Sequence, residues 1–345
     1  MSTGRCWRPL LLWGAVVVTV AALTQASLAR ANPPAIVSRE SVSAFFGGDN
    51  LTLHFTVQSV DSADALARWS FSVEHRVLAR GEARLSPTHG RPGELTLRLK
   101  APAVKEGVVL AGQVSIIVTS NTRPDLRATL ARPVWFFPKD PFAGRASWLR
   151  ERKIILFDPP GRTAEIFKAA GLPFQELNNP DAIAELAEGT LIVGEGVSFT
   201  SQRGLPEALL RAAARGAPVL CLAPVDGVLP IPDGNDRDLP APARLAFRRN
   251  EIITELDRRL DARGWAEDGK EVASRLVLRG DGLTVGAEVT TAGSGWPWVE
   301  IDFSKPGSRI VFCGFALISH WDHGPTPRFL LARALDRTLH VHAAR

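Results

Sequence analysis

The chain has 345 residues, of which 45% are hydrophobic, so it is long enough to bury one large core or two ordinary ones. Charged residues make up 22% of the chain, with no long block of one sign and no low-complexity run, which excludes wholesale disorder. The formal net charge is +5, but three of the arginines lie within the first 31 residues, and without them it falls to +2. So small a charge lacks the strong basic excess typical of nucleic-acid-binding proteins, and we predict no nucleic-acid partner.

The N-terminus has the pattern of a secretory signal. Arg5 and Arg8 precede an apolar stretch at residues 9–23, and small residues surround a cleavage site after Ala31. We therefore predict a signal peptide over residues 1–31 and export to the periplasm or the extracellular space. The alternative is an uncleaved N-terminal membrane anchor, although the apolar stretch is shorter than the ~20 residues that span a bilayer. No later run is long enough, so the mature chain is predicted to have no membrane span.

Residues 35–137 alternate between apolar and polar positions, which is typical of strands with one buried face. In the segment LTLHFTV every second residue is apolar: Leu51, Leu53, Phe55 and Val57. Similar segments at residues 69–73 and 95–99 are separated by turn-forming residues. This pattern predicts an antiparallel β-sandwich over residues 35–137. His54 and His75 lie singly on its polar faces, where we expect solvated side chains.

After a proline- and glycine-containing linker at residues 138–150, the pattern changes to apolar strands that alternate with helices. We expect a doubly wound α/β domain with a mostly parallel sheet over residues 151–345, and hence an α+β multidomain chain. Its regular part has strands at 153–158, 173–177, 189–196 and 218–224 and helices at 163–171 and 204–216. A polar insertion at 225–243 precedes a helix at 250–264, strands at 274–280 and 286–291, a hairpin at 298–315 and a closing helix at 326–339.

Several of these blocks resemble a known family. Residues 153–177, 189–196 and 204–224 resemble a class I glutamine amidotransferase-like domain, which has a flavodoxin-like fold. The segment 305–339 is similar to the end of degenerate members of that superfamily, which accompany bacterial glycoside hydrolases and related exported proteins. The sandwich, which ends in RPVWFFPKD, resembles the immunoglobulin-like domains found beside them. The resemblance implies these two folds and an association with carbohydrate or the cell envelope.

The resemblance also bears on catalysis. Active members carry a nucleophilic cysteine between two glycines, as Gly-x-Cys-x-Gly, with a histidine and a glutamate near the last strand. Cys221 occupies the corresponding strand, but Val219 and Ala223 replace the glycines and Pro224 follows where the family has a helix. We therefore expect Cys221 to be a buried core residue, and keep it as a weak catalytic candidate. Cys313 also lies in an apolar run, so two free thiols are expected, with a disulfide between them as the alternative.

The loop SHWDHG at residues 319–324 concentrates polar groups that bear chemistry. His320, Asp322 and His323 are ligand types that zinc prefers, although their spacing is not a recognised motif. His320 and Asp322 are also candidates for catalysis, out of register with the family motif. Alternatively, Trp321 stacks on a sugar while His320 and Asp322 bind its hydroxyls, because the loop follows the carboxyl end of a strand. A purely structural loop is the remaining reading.

Two other loops have features of ligand sites. FDPPGRT joins a strand to a helix, so its backbone amides and Arg162 offer an anion site, against the simpler reading of a stiff turn. DGNDRD at residues 233–238 has acidic residues but departs from the EF-hand spacing, which favours a solvated loop.

We therefore expect an exported, non-catalytic binding or scaffold protein without a cofactor, whose partner is a carbohydrate or an envelope protein. The first alternative is a hydrolase that uses the loops after Asp158, Gly194, Leu222 and Leu317. The second is a structural module of an envelope assembly.

Overall fold

The computed structural model describes residues 35–58, 65–85, 92–120, 127–235, 239, 241–262, 275–280, 283–287, 295–305 and 307–339. The predicted signal peptide lies outside these residues, as do most of the predicted strand 286–291 and residues 236–238 of the DGNDRD loop. None of the helices within the described residues is both long enough and apolar enough to cross a membrane.

The N-terminal part is a sandwich of two sheets. Its strands are β1 (Ala35–Ser38), β2 (Ala44–Phe46), β3 (Asn50–Gln58), β4 (Ala65–Val73), β5 (Arg76–Leu85), β6 (Gly93–Lys100), β7 (Leu110–Ser120) and β8 (Arg127–Phe137). One sheet has the order β1-β3-β6 and the other the order β2-β8-β7-β4-β5. All pairs are antiparallel except β2 with β8, which run parallel and depart from the purely antiparallel prediction.

The alternation read from the sequence describes the core of this sandwich. Leu51, Leu53, Phe55 and Val57 are at most 6% exposed. They pack with residues of β4, β6, β7 and β8 in one hydrophobic cluster. His54 differs from the prediction of a lone solvated histidine, because its Nδ1 lies 2.7 Å from Glu40 Oε1.

The C-terminal part is built on a mixed sheet of seven strands. The elements in chain order are α1 (Ala146–Glu151), β9 (Ile154–Phe157), α2 (Arg162–Ala169), β10 (Gln175–Glu176), α3 (Pro180–Ala184), β11 (Thr190–Val193), α4 (Leu205–Arg215), β12 (Val219–Leu222), β13 (Val228–Pro230), β14 (Arg244–Arg248), α5 (Glu251–Leu256), β15 (Leu276–Gly280), β16 (Leu283–Ala287), β17 (Trp298–Asp302), β18 (Arg309–Cys313) and α6 (Pro325–Leu339). The order is β10-β9-β11-β12-β18-β17-β14. The first five strands run parallel, β17 runs antiparallel to them, and β14 pairs antiparallel with β17.

Helices cover both faces of this sheet. Buried residues of α2, α5 and α6 pack in one cluster with one face. Those of α3 and α4 pack in another cluster with the opposite face. Helix α4 matches the expected design, with Pro206 in its first turn and Gly216 at its end with a φ of 110°.

Less regular stretches departed from the predictions. The polar insertion contains β13, which joins β15 and β16 in a separate three-stranded sheet. Strand β14 was not predicted at all. The helix expected over residues 250–264 is only α5, since Asp257 has an extended backbone with φ −155°. Part of the predicted linker, 138–150, is helical, because α1 begins at Ala146.

The sandwich and the α/β part belong to one compact unit, Pro33–Arg345. Phe46 and Phe137 of the sandwich lie in the same hydrophobic cluster as buried residues of α6. The ring centroids of Phe137 and Phe329 are 4.7 Å apart. Within the linker range Phe142 is 5% exposed and packs in this cluster. The stretch between the two parts is therefore a packed junction.

Candidate functional site

The carboxyl ends of β9, β11, β12 and β18 meet at one edge of the sheet, because these strands are parallel. Open α/β sheets bind their ligands at this edge. The chain leaves the strands there through Asp158, Glu195, Ala223 and the loop that contains Ser319. This edge is therefore the candidate site, and it includes the loops singled out for the hydrolase alternative.

Glu195 is the central polar group of this edge, although the sequence analysis did not single it out. It is 4% exposed, and its carboxylate accepts hydrogen bonds from Ile318 N (2.7 Å), from Ser319 N (2.9 Å) and from Ser319 Oγ. Its own backbone N donates to Thr163 Oγ1 at 2.9 Å. The carboxylate of Glu195 thus ties the loop after β18 to the end of β11, and its backbone N ties the same residue to the start of α2. The signal in the sequence that could have identified Glu195 was a single acidic residue between two glycines in an apolar run.

Asp158 closes the N-terminus of α2. Its Oδ2 accepts a hydrogen bond from Ala164 N at 2.8 Å, and its backbone oxygen accepts one from Gly161 N. On this turn, where the sequence offered an anion site against a stiff turn, the chain's own carboxylate meets an amide at the start of the helix, and Arg162 is exposed. Oδ1 is buried and makes no hydrogen bond within the described residues. Burial raises the pKa of Asp158 above its ordinary value, although the bonds from backbone N–H groups oppose the rise.

Cys221 lies inside strand β12 and not on a bend. Its side chain is 0% exposed among apolar neighbours, and this burial strongly raises the pKa of its thiol. A positive backbone φ of 31° occurs two residues later, at Ala223, so the bend follows the thiol instead of presenting it. As a catalytic candidate Cys221 therefore lacks both exposure and the elbow that the family requires.

The two cysteines within the described residues, Cys221 and Cys313, are free and lie on opposite faces of the sheet. Cys221 belongs to the cluster of α3 and α4, whereas Cys313 on the neighbouring strand belongs to that of α2 and α6. Burial raises the pKa of Cys313 to about 12. The disulfide alternative is therefore wrong, because the side chains diverge across the sheet.

The candidate side chains of the loop after β18 make contacts within the chain. Trp321 is 7% exposed, and the guanidinium of Arg328 lies 5.3 Å from its ring centroid, so the expected stacking surface is covered. Asp322 Oδ1 accepts a hydrogen bond from Arg328 Nη2 at 2.7 Å. His320 Nδ1 lies 2.8 Å from Ala316 O, and its ring packs edge-on against that of His323, 4.9 Å away.

The metal hypothesis for His320, Asp322 and His323 is not supported by this geometry. Across the described ranges, no three histidine, cysteine or carboxylate side chains converge in a way that would hold a metal ion.

The start of the DGNDRD loop forms hydrogen bonds within itself, because Asp233 accepts hydrogen bonds from the backbone and side chain of Asn235. These local bonds lower the pKa of Asp233.

Comparison with known proteins gives no family. No protein-family model and no curated protein matches the chain. Among solved structures, a conjugative transposon lipoprotein from Bacteroides eggerthii is similar, with 11% identity over 30% of this chain and 97% of that one, at a TM-score of 0.21. Fibronectin(III)-like modules of Clostridium thermocellum CbhA show 19% identity over 31% of this chain and 46% of theirs, at a TM-score of 0.19. A Bacteroides uniformis beta-glucuronidase shows 10% identity over 59% of this chain and 24% of its own, at a TM-score of 0.23.

Proposed function

We propose that the chain is an exported binding or scaffold protein without catalytic activity, associated with carbohydrate or with the cell envelope. The observation that carries this proposal is that polar side chains at the carboxyl edge of the sheet already form hydrogen bonds with other residues of the chain. Glu195 holds the loop after β18, and Asp322 is bonded to Arg328. Cys221 is enclosed in the core. Side chains engaged in this way hold loops in place and are not presented to a substrate.

The sequence resemblance supports the same reading. We propose that residues 151–345 are a degenerate, doubly wound amidotransferase-like domain, and that residues 35–137 are its immunoglobulin-like companion. Parallel strands β9, β11, β12 and β18 with helices on both faces are compatible with such a domain. The N-terminal pattern of residues 1–31 supports export.

Enzyme assays with paired cysteine variants test the proposal. We expect the purified chain to release no ammonia from glutamine and to hydrolyse no p-nitrophenyl glycoside or ester above background. Cys221→Ala and the matched variant Cys313→Ala, which removes a second buried thiol on the neighbouring strand, should behave like the wild-type chain. Turnover that is lost in Cys221→Ala and kept in Cys313→Ala would overturn the proposal.

A hydrolase remains a second candidate because of one observation, the buried Oδ1 of Asp158 that has no hydrogen-bond partner within the described residues. A carboxyl group whose pKa is raised by burial has the property that a general acid needs. If the chain hydrolyses any of the assayed compounds, this candidate predicts that Asp158→Asn lowers the rate by at least ~100-fold. Equal rates for Asp158→Asn and the wild-type chain would exclude it.

A further inference from the structure

The outer face of the five-stranded sheet carries a groove, which shares no lining residue with the carboxyl edge. Its volume is about 560 Å³, within the range of small-molecule and glycan sites. We call it the arginine groove and define it by six side chains on β4, β5 and β7: Arg68, Ser70, Arg80, Glu82, Ser115 and Ile117. They are exposed or half-buried, whereas residues that alternate with them, such as Phe71 and Ile116, lie in the core.

Strand pairing arranges these side chains in two adjacent rows. Ser70 lies between Arg80 on β5 and Ser115 on β7. Arg68 lies between Glu82 on β5 and Ile117 on β7 in the same way. One row therefore joins a cation to two hydroxyl groups, and the next joins an ion pair to an apolar side chain.

The groove has an excess of positive charge. Arg68 Nε donates to Glu82 Oε1 at 2.8 Å, and this exposed pair neutralises itself. Arg80 is exposed and forms no ion pair with any described residue. Arg84, on the same strand and face, is also exposed and unpaired within the described part of the chain. A guanidinium group without a carboxylate partner binds carboxylate or sulfate through paired N–H groups.

We propose that the arginine groove binds an acidic polysaccharide, a polymer of sugars that carry carboxylate or sulfate groups. Arg80 meets an acid group, Ser70 and Ser115 bond sugar hydroxyls, and Ile117 contacts an apolar sugar face. Four residues of strand separate Arg80 from Arg84 by ~13 Å, which suits repeated acid groups better than a single monosaccharide. This inference rests on the proposed binding function and names the ligand class.

Binding to three polymers tests the ligand class. The probes are heparin, which carries sulfates, polygalacturonate, which carries carboxylates, and dextran, which is neutral. Isothermal titration calorimetry should show binding to at least one of the two acidic polymers and none to dextran. Absence of binding to both acidic polymers, or equal binding to dextran, would overturn the inference. So would binding confined to vesicles of anionic phospholipid, used as a further probe.

Two charge reversals separate a specific site from general attraction. We expect Arg80→Glu to weaken binding at least ~10-fold, the loss typical of a charge-assisted hydrogen bond. Arg98→Glu makes the same change in net charge at an exposed position of β6, in the other sheet. It should weaken binding less than ~2-fold. Ser115→Ala, which keeps the charge, should weaken binding by a smaller but measurable factor. Equal losses in Arg80→Glu and Arg98→Glu would contradict the site.

Failure of this inference can be distinguished from failure of the proposed function. Thermal unfolding of each variant should match that of the wild-type chain, because Arg80 and Arg98 are exposed and Ser115 is only half-buried on the outer face of its sheet. If the acidic polymers do not bind while the enzyme assays stay negative, the arginine groove is wrong and the non-catalytic proposal stands. If the assays detect turnover that depends on Cys221 or Asp158, the proposed function fails whatever the groove binds.

Discussion

The carboxylate of Glu195 shows how one side chain organises the candidate site. It is almost fully buried, yet it receives two backbone N–H groups and one hydroxyl group from residues 318–319. A buried polar group costs stability unless such hydrogen-bond partners surround it. The loop after β18 therefore has a fixed position, although its sequence suggested an open catalytic or metal-binding segment.

Substitution of Glu195 should test this organising role. We expect Glu195→Ala to lower the free energy of unfolding by ~2–5 kcal/mol, because it leaves the N–H groups of Ile318 and Ser319 buried without acceptors. Urea denaturation followed by circular dichroism measures the change. The control, Glu106→Ala, removes an exposed carboxylate from a loop and should change stability by less than ~0.5 kcal/mol. Similar values for the two variants would contradict the role of Glu195.

At the scale of elements, the β4–β5 hairpin contains local backbone strain. Its two-residue loop is Glu74–His75, and both residues have positive φ, 45° and 68°. Such hairpin loops favour asparagine and glycine, because other side chains crowd the backbone in this conformation. Two hydrogen bonds with Ala111 hold Glu74 in this conformation. The backbone N of Glu74 donates to Ala111 O, and its carboxylate accepts from Ala111 N. His75 is exposed and has no comparable bond among the described residues, so it is the position to change.

We expect His75→Gly to stabilise the chain by about 0.5–1 kcal/mol, since glycine adopts the left-handed conformation without steric cost. The gain is partly offset by the greater freedom of glycine in the unfolded chain. Differential scanning calorimetry should show a higher Tm. His75→Ala removes the same ring but keeps a Cβ at positive φ, so it should give no gain; an equal rise in both variants would contradict the strain argument.

The sequence predicted elements whose signals are local. Alternation identified the strand around Leu53, and Pro206 and Gly216 marked the ends of α4. The prediction from sequence failed where an element depends on a partner that is distant along the chain. Strand β14 forms because it pairs with β17, some fifty residues later. The site was missed for the same reason. Glu195 bonds to residues 123 and 124 positions away, and Trp321 is covered by an arginine one helical turn into α6.

At the scale of the whole molecule, the sandwich and the α/β part share buried surface at their junction. Arg328 of α6 lies 4.9 Å from the ring centroid of Phe46 and donates to Lys139 O. Asp261 accepts hydrogen bonds from Ser43 N (2.7 Å) and Ala44 N (2.9 Å) at the start of β2. Aromatic packing and partly buried hydrogen bonds thus join the two parts at this junction.

Asp261 provides the sharpest test of this junction. We expect Asp261→Ala to leave the N–H groups of Ser43 and Ala44 without acceptors, which should cost ~2–5 kcal/mol. Hydrogen exchange measured by mass spectrometry should show faster exchange in peptides that cover β2, while peptides from β12 in the sheet interior keep their protection. The control Asp233→Ala removes a carboxylate that bonds to Asn235 in an exposed loop, and should leave β2 unchanged. Unchanged exchange of β2 in Asp261→Ala would contradict the role of Asp261 at the junction.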